Sequence, residues 1–199
     1  MLIISIDPSS TKTGIIGADY DSEQLLWCAT INPPKTIKGE PVPYYLRMSW
    51  QLEKLAGYVN NYCPDRILVE IPDGKTRTHH PERKSGFGVW GFAAGAIWAY
   101  LRGFSPETAS RLVAISNVWT RGSKKRLRKL ATYQQFPEIY DPKKDGGLDN
   151  DRGGDMADAW IMAHKWIREE KTRVLVSKVS EDNHTEQKKI DLYGNKFRY

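Results

Sequence analysis

The stretch "IISIDPSSTKTGIIG", residues 3–17, decides how the chain folds. Ile3, Ile4 and Ile6 are too apolar for a solvated strand, so residues 2–6 predict a central β-strand; yet that strand delivers a carboxylate, Asp7, at its tip. Pro-Ser-Ser and Thr-Lys then supply turn chemistry, and residues 13–18 predict a second strand running back beside the first. A buried strand that ends on one acid either caps a turn or holds something positively charged.

Outward from this stretch, "QLLWCATI" (24–31) predicts a third antiparallel strand and the Pro-rich segment 32–43 a loop. Met48, Leu52, Leu55, Val59 and Tyr62 recur at steps of four and three, the period of an amphipathic helix. "RILVEI" (66–71) predicts a strand that again brings a carboxylate, Glu70, to its end. A polar loop over 72–86 carries Lys75, Arg77, His79, His80, Arg83 and Lys84, before a helix of small and aromatic residues over 87–103 and a strand over 111–116. Ser123 is placed to cap a basic helix running toward Phe136. An Asp-rich loop (141–153) leads into a helix over about 154–168 with Asp155 and Asp158; beyond Lys171 there is one β-like patch, 173–179, and then no period. Three antiparallel strands followed by strand–helix–strand connections imply an α/β fold with a mixed five-stranded sheet flanked by helices.

A chain of 199 residues is long enough for one self-sufficient domain. No apolar run reaches membrane-spanning length and no signal peptide is evident, while Cys28 and Cys63 are too few for a disulfide framework or a zinc site. The expectation is a cytoplasmic protein with no membrane contact. Thirty basic against twenty-four acidic side chains give a net charge of +6, compatible with a polyanionic partner. Its distribution says more: "RGSKKRLRKL" (121–130) has six basic residues in ten and no acid, and "DPKKDGGLDNDRGGDMAD" (141–158) is rich in aspartate. A basic block beside an acidic cluster is what a nucleic-acid enzyme with a metal site would show.

Asp7, Glu70, Asp155 and Asp158 are far apart in sequence, but the expected sheet places Asp7 and Glu70 on neighbouring strand ends, and Asp155 and Asp158 share one helix face. Each has an ordinary reading: a turn former before proline, a solvated edge charge, a helix-start acid. Asp158, inside the apolar "MADAWIMA", fits such a reading least. Four acids at one sheet edge repel one another unless cations sit among them, and hard divalent ions prefer carboxylate oxygens.

Here the motifs become specific. "SIDPSSTKTG", "ILVEI" and "DMADAWIMAHKW" resemble, in order, the three catalytic motifs of RuvC-type Holliday-junction resolvases, over about residues 2–168. The resemblance implies an RNase H-like fold, a nuclease domain over 1–170 and a basic C-terminal extension over 171–199. It implies Asp7, Glu70, Asp155 and Asp158 as metal ligands for Mg²⁺, with Mn²⁺ as substitute and two ions per site, and Lys125 as a further catalytic residue. The implied activity is resolution of four-way DNA junctions by paired hydrolysis leaving 5′-phosphate and 3′-hydroxyl ends. A homodimer would match the two-fold symmetry of a junction, and a bacterial or phage-infected cell would be its setting. Arg121, Lys124, Lys125, Arg126 and Arg128, with Lys75 and Arg77, are the expected DNA contacts, although a solvated basic face explains any one of them as well. Gly91, Ala94, Gly95 and Trp98 form a small-residue helix surface that suits either a dimer contact or burial within the protomer.

Two features depart from that pattern. The family carries an aromatic wedge just beyond the glutamate, where this chain has Pro72 and Asp73, leaving Phe87 or Trp90 as substitutes or as core residues; and Trp119 stands near where a lysine is expected. A nuclease of the same fold acting on flaps, forks or RNA–DNA hybrids is therefore the alternative. An actin-like sugar kinase shares the strand–turn–strand pattern but leaves Asp155 and Asp158 unexplained.

Overall fold

Leu2–Asp7 (β1) is hydrogen-bonded on both sides and has no solvated edge, which is why Ile3, Ile4 and Ile6 are wholly buried. The computed structural model describes residues 1–9, 11–71, 84–116, 125–139 and 155–194, with the helical segments 84–89, 125–126 and 181–194 as backbone alone. Thr13–Asp19 (β2) pairs antiparallel with β1, and Gln24–Ile31 (β3) pairs antiparallel with β2. A two-residue hairpin, Thr36–Ile37 (β4) and Glu40–Pro41 (β5), lies within the segment expected to be loop throughout. After helix α1 (Tyr44–Tyr62) the chain crosses to Arg66–Ile71 (β6), parallel to β1 on its other side. Helices α2 (Lys84–Phe104) and α3 (Pro106–Arg111) lead to Leu112–Ser116 (β7), parallel to β6. The expected mixed sheet is borne out, in the order β3-β2-β1-β6-β7. Among the described residues two further helices follow, α4 (Lys125–Gln135) and α5 (Asp155–Gly194).

Strand alternation divides the sheet into two chemically different faces. Ile4, Ile6, Ile15, Ile67 and Val69 face one way and form the main core with Met48, Leu55 and Val59 of α1 and Ala93, Ile97 and Leu101 of α2. At roughly 1.5–3 kcal/mol per buried aliphatic side chain, this face dominates stability. On α1 the buried stripe differs from expectation: Gln51 is buried where Leu52 is only half-buried, because the Thr13 hydroxyl donates to Gln51 Oε1 at 2.7 Å. Tyr62 is exposed on one side and stacks on Trp27, whose ring centroid is 4.7 Å away. Trp27 lies across Gly17, its cross-strand partner, where any Cβ would meet the indole. Ala94 of the small-residue surface is buried within the protomer, whereas Gly95 is exposed.

The other face carries Ile3, Ser5 and Asp7 of β1, Gly14 and Ile16 of β2, and Leu68 and Glu70 of β6. Helix α5 begins over it: a Cβ on Gly14 would fall against the Asp155 carbonyl and within 2.6 Å of the Met156 nitrogen. Ala157, Ala159, Trp160, Met162 and Ala163 are buried behind that contact.

One segment the sequence left unassigned is filled, and one expectation is corrected. A short helix, α3, precedes β7; Ser105 caps it by accepting from the Thr108 N–H at 3.1 Å, with Pro106 next in line, the usual chemistry of a helix start. And 173–179 is no strand: α5 runs from Asp155 through to Gly194. Val174, Leu175, Val176 and Val179 suggested β-structure, but β-branching biases against helix only weakly, and these side chains are exposed. The Thr172, Ser177 and Ser180 hydroxyls donate back to carbonyls three or four residues earlier, the spacing of helical turns. By contact density the chain divides into two compact units, Met1–His164 and Lys165–Tyr199. Among the described residues no helix is long and apolar enough to cross a membrane.

Gly14 is the contact on which the second face depends. Gly14→Ala is expected to lower stability by about 1–3 kcal/mol through overpacking against the α5 backbone, measured by urea unfolding, whereas Gly95→Ala, which meets no atom within 4 Å, is expected to be neutral or slightly stabilising.

Candidate active site

The carboxyl ends of β1 and β6 lie side by side at the point where the chain leaves β1 toward one side of the sheet and returns on the other, the usual location of ligand sites in open α/β sheets. Ile6 pairs with Val69, so Asp7 and Glu70 are the next residues out along two parallel strands. Asp7 is also level with Gly14, and the tight approach at Gly14 brings the first turn of α5, with Asp155 and Asp158, to the same place. All four carboxylates are nearly excluded from solvent: Asp7 is 7%, Glu70 6%, Asp155 6% and Asp158 5% exposed.

The electrostatic result is clearest at Asp7. Burial raises its pKa well above the ordinary aspartate range; the charge of Glu70 and a hydrogen bond with it add to this, and the charges of Asp155 and Asp158 push the same way. Asp7 therefore retains a proton to higher pH than a solvated aspartate does.

Two cations partly offset the acids. Arg128 of α4 is 6% exposed and grips Asp158 with both arms, Nε to Oδ1 at 2.5 Å and Nη2 to Oδ2 at 2.9 Å. Burial alone would weaken the guanidinium charge, but the bond to Asp158 and the fields of Asp158, Asp7 and Glu70 outweigh it, and the Arg128 pKa is raised. Lys12, in the turn between β1 and β2, has its Nζ 3.3 Å from Asp155 Oδ2. Phe136, just past α4, meets the Trp160 ring edge-on at 4.8 Å and ties α4 to α5 beside the ion pair.

Four buried carboxylates match a hard divalent cation in donor type and in sign of charge, and four acids outnumber the two side-chain cations, Arg128 and Lys12, paired with them. Among the described residues, no group of three or more His, Cys, Asp or Glu is arranged so that it could hold a metal ion as it stands. The site is drawn around Arg128 and Lys12 instead.

Of the expected DNA contacts, Arg128 turns inward onto the acids. Lys75, Arg77, Arg121 and Lys124 lie outside the described residues, as do Pro72, Asp73, His79, His80, Arg83, Trp119 and Ser123. Lys125 and Arg126 open α4, and their side chains and that of Phe87 are likewise outside the description. Trp90 is half-buried on α2. The sequence reading missed Lys12 and the inward Arg128 as partners of the acids. The signal for Arg128 was indirect: Arg128, Thr132 and Phe136 recur every four residues, and all three are buried, while Leu127 and Leu130 face outward at 56% and 47% exposure.

A raised Asp7 pKa means that the folded state binds a proton the unfolded chain has already released. The resulting penalty is absent below the unfolded aspartate pKa of about 4, grows as pH rises toward the native value, and persists above it. In EDTA, Asp7→Asn is therefore expected to melt higher than the unsubstituted protein, by roughly 2–4 °C for each kcal/mol relieved, with the difference shrinking as pH falls toward about 4. Thermal melts across pH measure it, and a difference that stays constant with pH would refute the assignment.

No protein-family model and no curated protein matches the sequence. Among solved structures, Thermus thermophilus RuvC in complex with a Holliday junction substrate superposes with a TM-score of 0.58 at 16% identity, covering 86% of this chain and 96% of that one. A second Thermus thermophilus RuvC structure gives 0.51 at 16% identity over 82% and 92%. The Fowlpox virus resolvase in complex with Holliday junction DNA gives 0.50 at 17% identity over 85% and 98%. At these identities the likeness is one of architecture: the chain has the RNase H-like fold, similar to that of RuvC and of a poxvirus Holliday junction resolvase.

Proposed function

We propose that the protein is a metal-dependent endonuclease that resolves four-way DNA junctions. The observation that carries this reading is the convergence of Asp7, Glu70, Asp155 and Asp158, each at most 7% exposed, at the carboxyl end of the two central parallel strands. Carboxylates are seldom buried without cations, and a cluster this negative is poised for divalent ions and the phosphodiester they attract. In this reading the four acids hold Mg²⁺ or Mn²⁺, one or two ions per site, which would supply an activated water and stabilise the departing 3′ oxygen. The chain itself fixes the acids on a sheet edge and a helix start, shields them from bulk water, and raises the pKa of Asp7.

The basic segment 121–130 follows β7 and opens α4, whose Arg128 reaches the acids; Lys125, three residues earlier, is the proposed further catalytic residue. Arg121, Lys124 and Arg126, with Lys75 and Arg77, are the proposed backbone contacts, and their affinity falls with salt. We also propose a homodimer, because a two-fold junction needs two symmetric cuts, with 1–170 as the nuclease part and the basic 171–199 as an added contact. The resemblance of the three acid-bearing motifs and the RNase H-like fold support a junction over other branched substrates.

Cleavage of an end-labelled synthetic four-way junction with Mg²⁺ or Mn²⁺, beside duplex, flap, fork and RNA–DNA hybrid controls, tests the reading. Paired symmetric nicks are expected, reduced on the order of a hundredfold or more in Asp7→Asn and Asp158→Asn. Preference for flaps, forks or hybrids would move the substrate while keeping the site. Cleavage of none of them would overturn the nuclease reading.

A further inference from the structure

We infer that Arg128 is a built-in counter-ion of the carboxylate cluster, which competes with a divalent cation for Asp158 and so sets how tightly the site binds metal. The competitor's identity rests on the nuclease reading; the competition itself rests on geometry. Both oxygens of Asp158 are taken by the Arg128 guanidinium, at 2.5 and 2.9 Å, and the same guanidinium sits in the field of Asp7 and Glu70. A second full charge placed among these carboxylates meets the guanidinium at close range in a buried setting, where repulsion is weakly screened. Arginine does not deprotonate in this range, so it cannot yield by losing its charge; it must move or lower the affinity.

The packing of α4 indicates that this contact is built in. Leu127 and Leu130 are about half exposed, while Arg128, Lys129 and Thr132 are buried. Exposing leucines and burying charged side chains is unfavourable on both counts. The Asp158 pair compensates the buried Arg128, so the helix is oriented by the acids rather than by its apolar residues. Lys12 serves Asp155 in the same sense, from a more exposed position and through a single nitrogen. When an ion occupies the cluster, the displaced guanidinium has a matching partner in a phosphate, to which arginine binds in the same two-pronged way.

The test is calorimetric titration of the full-length protein with Mn²⁺, without DNA, for the unsubstituted chain, Arg128→Met and Arg128→Lys, alongside thermal melts in EDTA. Competition predicts opposite signs: Arg128→Met melts lower in EDTA but binds Mn²⁺ about tenfold tighter or more, equivalent to about 1.4 kcal/mol. Arg128→Lys, which keeps a charge but loses the two-pronged grip, is expected between the two and serves alone if Arg128→Met does not fold. A purely structural arginine predicts that both variants lose stability and metal affinity together. Mn²⁺ affinity unchanged or weakened in the folded variants, or no Mn²⁺ binding by any of the three proteins, would overturn the inference. Failure of the nuclease reading shows separately, as absent cleavage by an unsubstituted protein that still binds Mn²⁺.

Discussion

Concentrated negative charge in a place that water barely reaches is the constraint on which this structure turns. Asp7, Glu70, Asp155 and Asp158 come from three elements and are each more than nine-tenths buried. Carboxylates in that setting hold protons more tightly or recruit cations, and both occur here: the Asp7 pKa is raised, and Arg128 and Lys12 approach two of its neighbours. The surrounding architecture can be understood as what is needed to hold that charge in place. The apolar face of the sheet, packed under α1 and α2, supplies the stability, and the opposite face carries the acids at its carboxyl edge.

The delivery of the acids depends on backbone geometry more than on side-chain attraction, since the acids repel. Asp7 and Glu70 are adjacent because β1 and β6 are parallel neighbours whose register places them level. Asp155 and Asp158 arrive because α5 packs on β2 where Gly14 has no side chain. A Cβ there would meet the Asp155 carbonyl and the Met156 nitrogen, so strand or helix start would have to shift. Trp160 and Phe136 then hold α4 against α5, which keeps Arg128 within reach of Asp158.

Much of this was legible in the amino-acid order. The strands were visible because a buried parallel strand reads as a continuous apolar run, as in "LIISID" and "RILVEI", and short turns force antiparallel pairing. The acids were legible because each interrupts such a pattern. The errors have physical causes as well. Residues 173–179 carry valines that favour a strand on average, but a helix already begun at Asp155 extends at little cost per residue. Gln51 and Arg128 were invisible as buried residues because what buries a polar side chain is its partner, and those partners, Thr13 and Asp158, are 38 and 30 residues away. Periodicity reports apolar burial and is silent about polar burial.

The same blindness applies to Arg128, which hydropathy does not distinguish from the other basic residues of 121–130. Within α4, hydropathy alone would turn Leu127 and Leu130 inward and leave Arg128 in water. The structure reverses this: the Arg128 guanidinium faces both oxygens of Asp158 within the field of Asp7 and Glu70, while Leu127 and Leu130 are about half exposed. Within the basic run, Arg128, one helical turn in from the start of α4, answers the protein's own charge at Asp158, while Leu127 and Leu130 face outward.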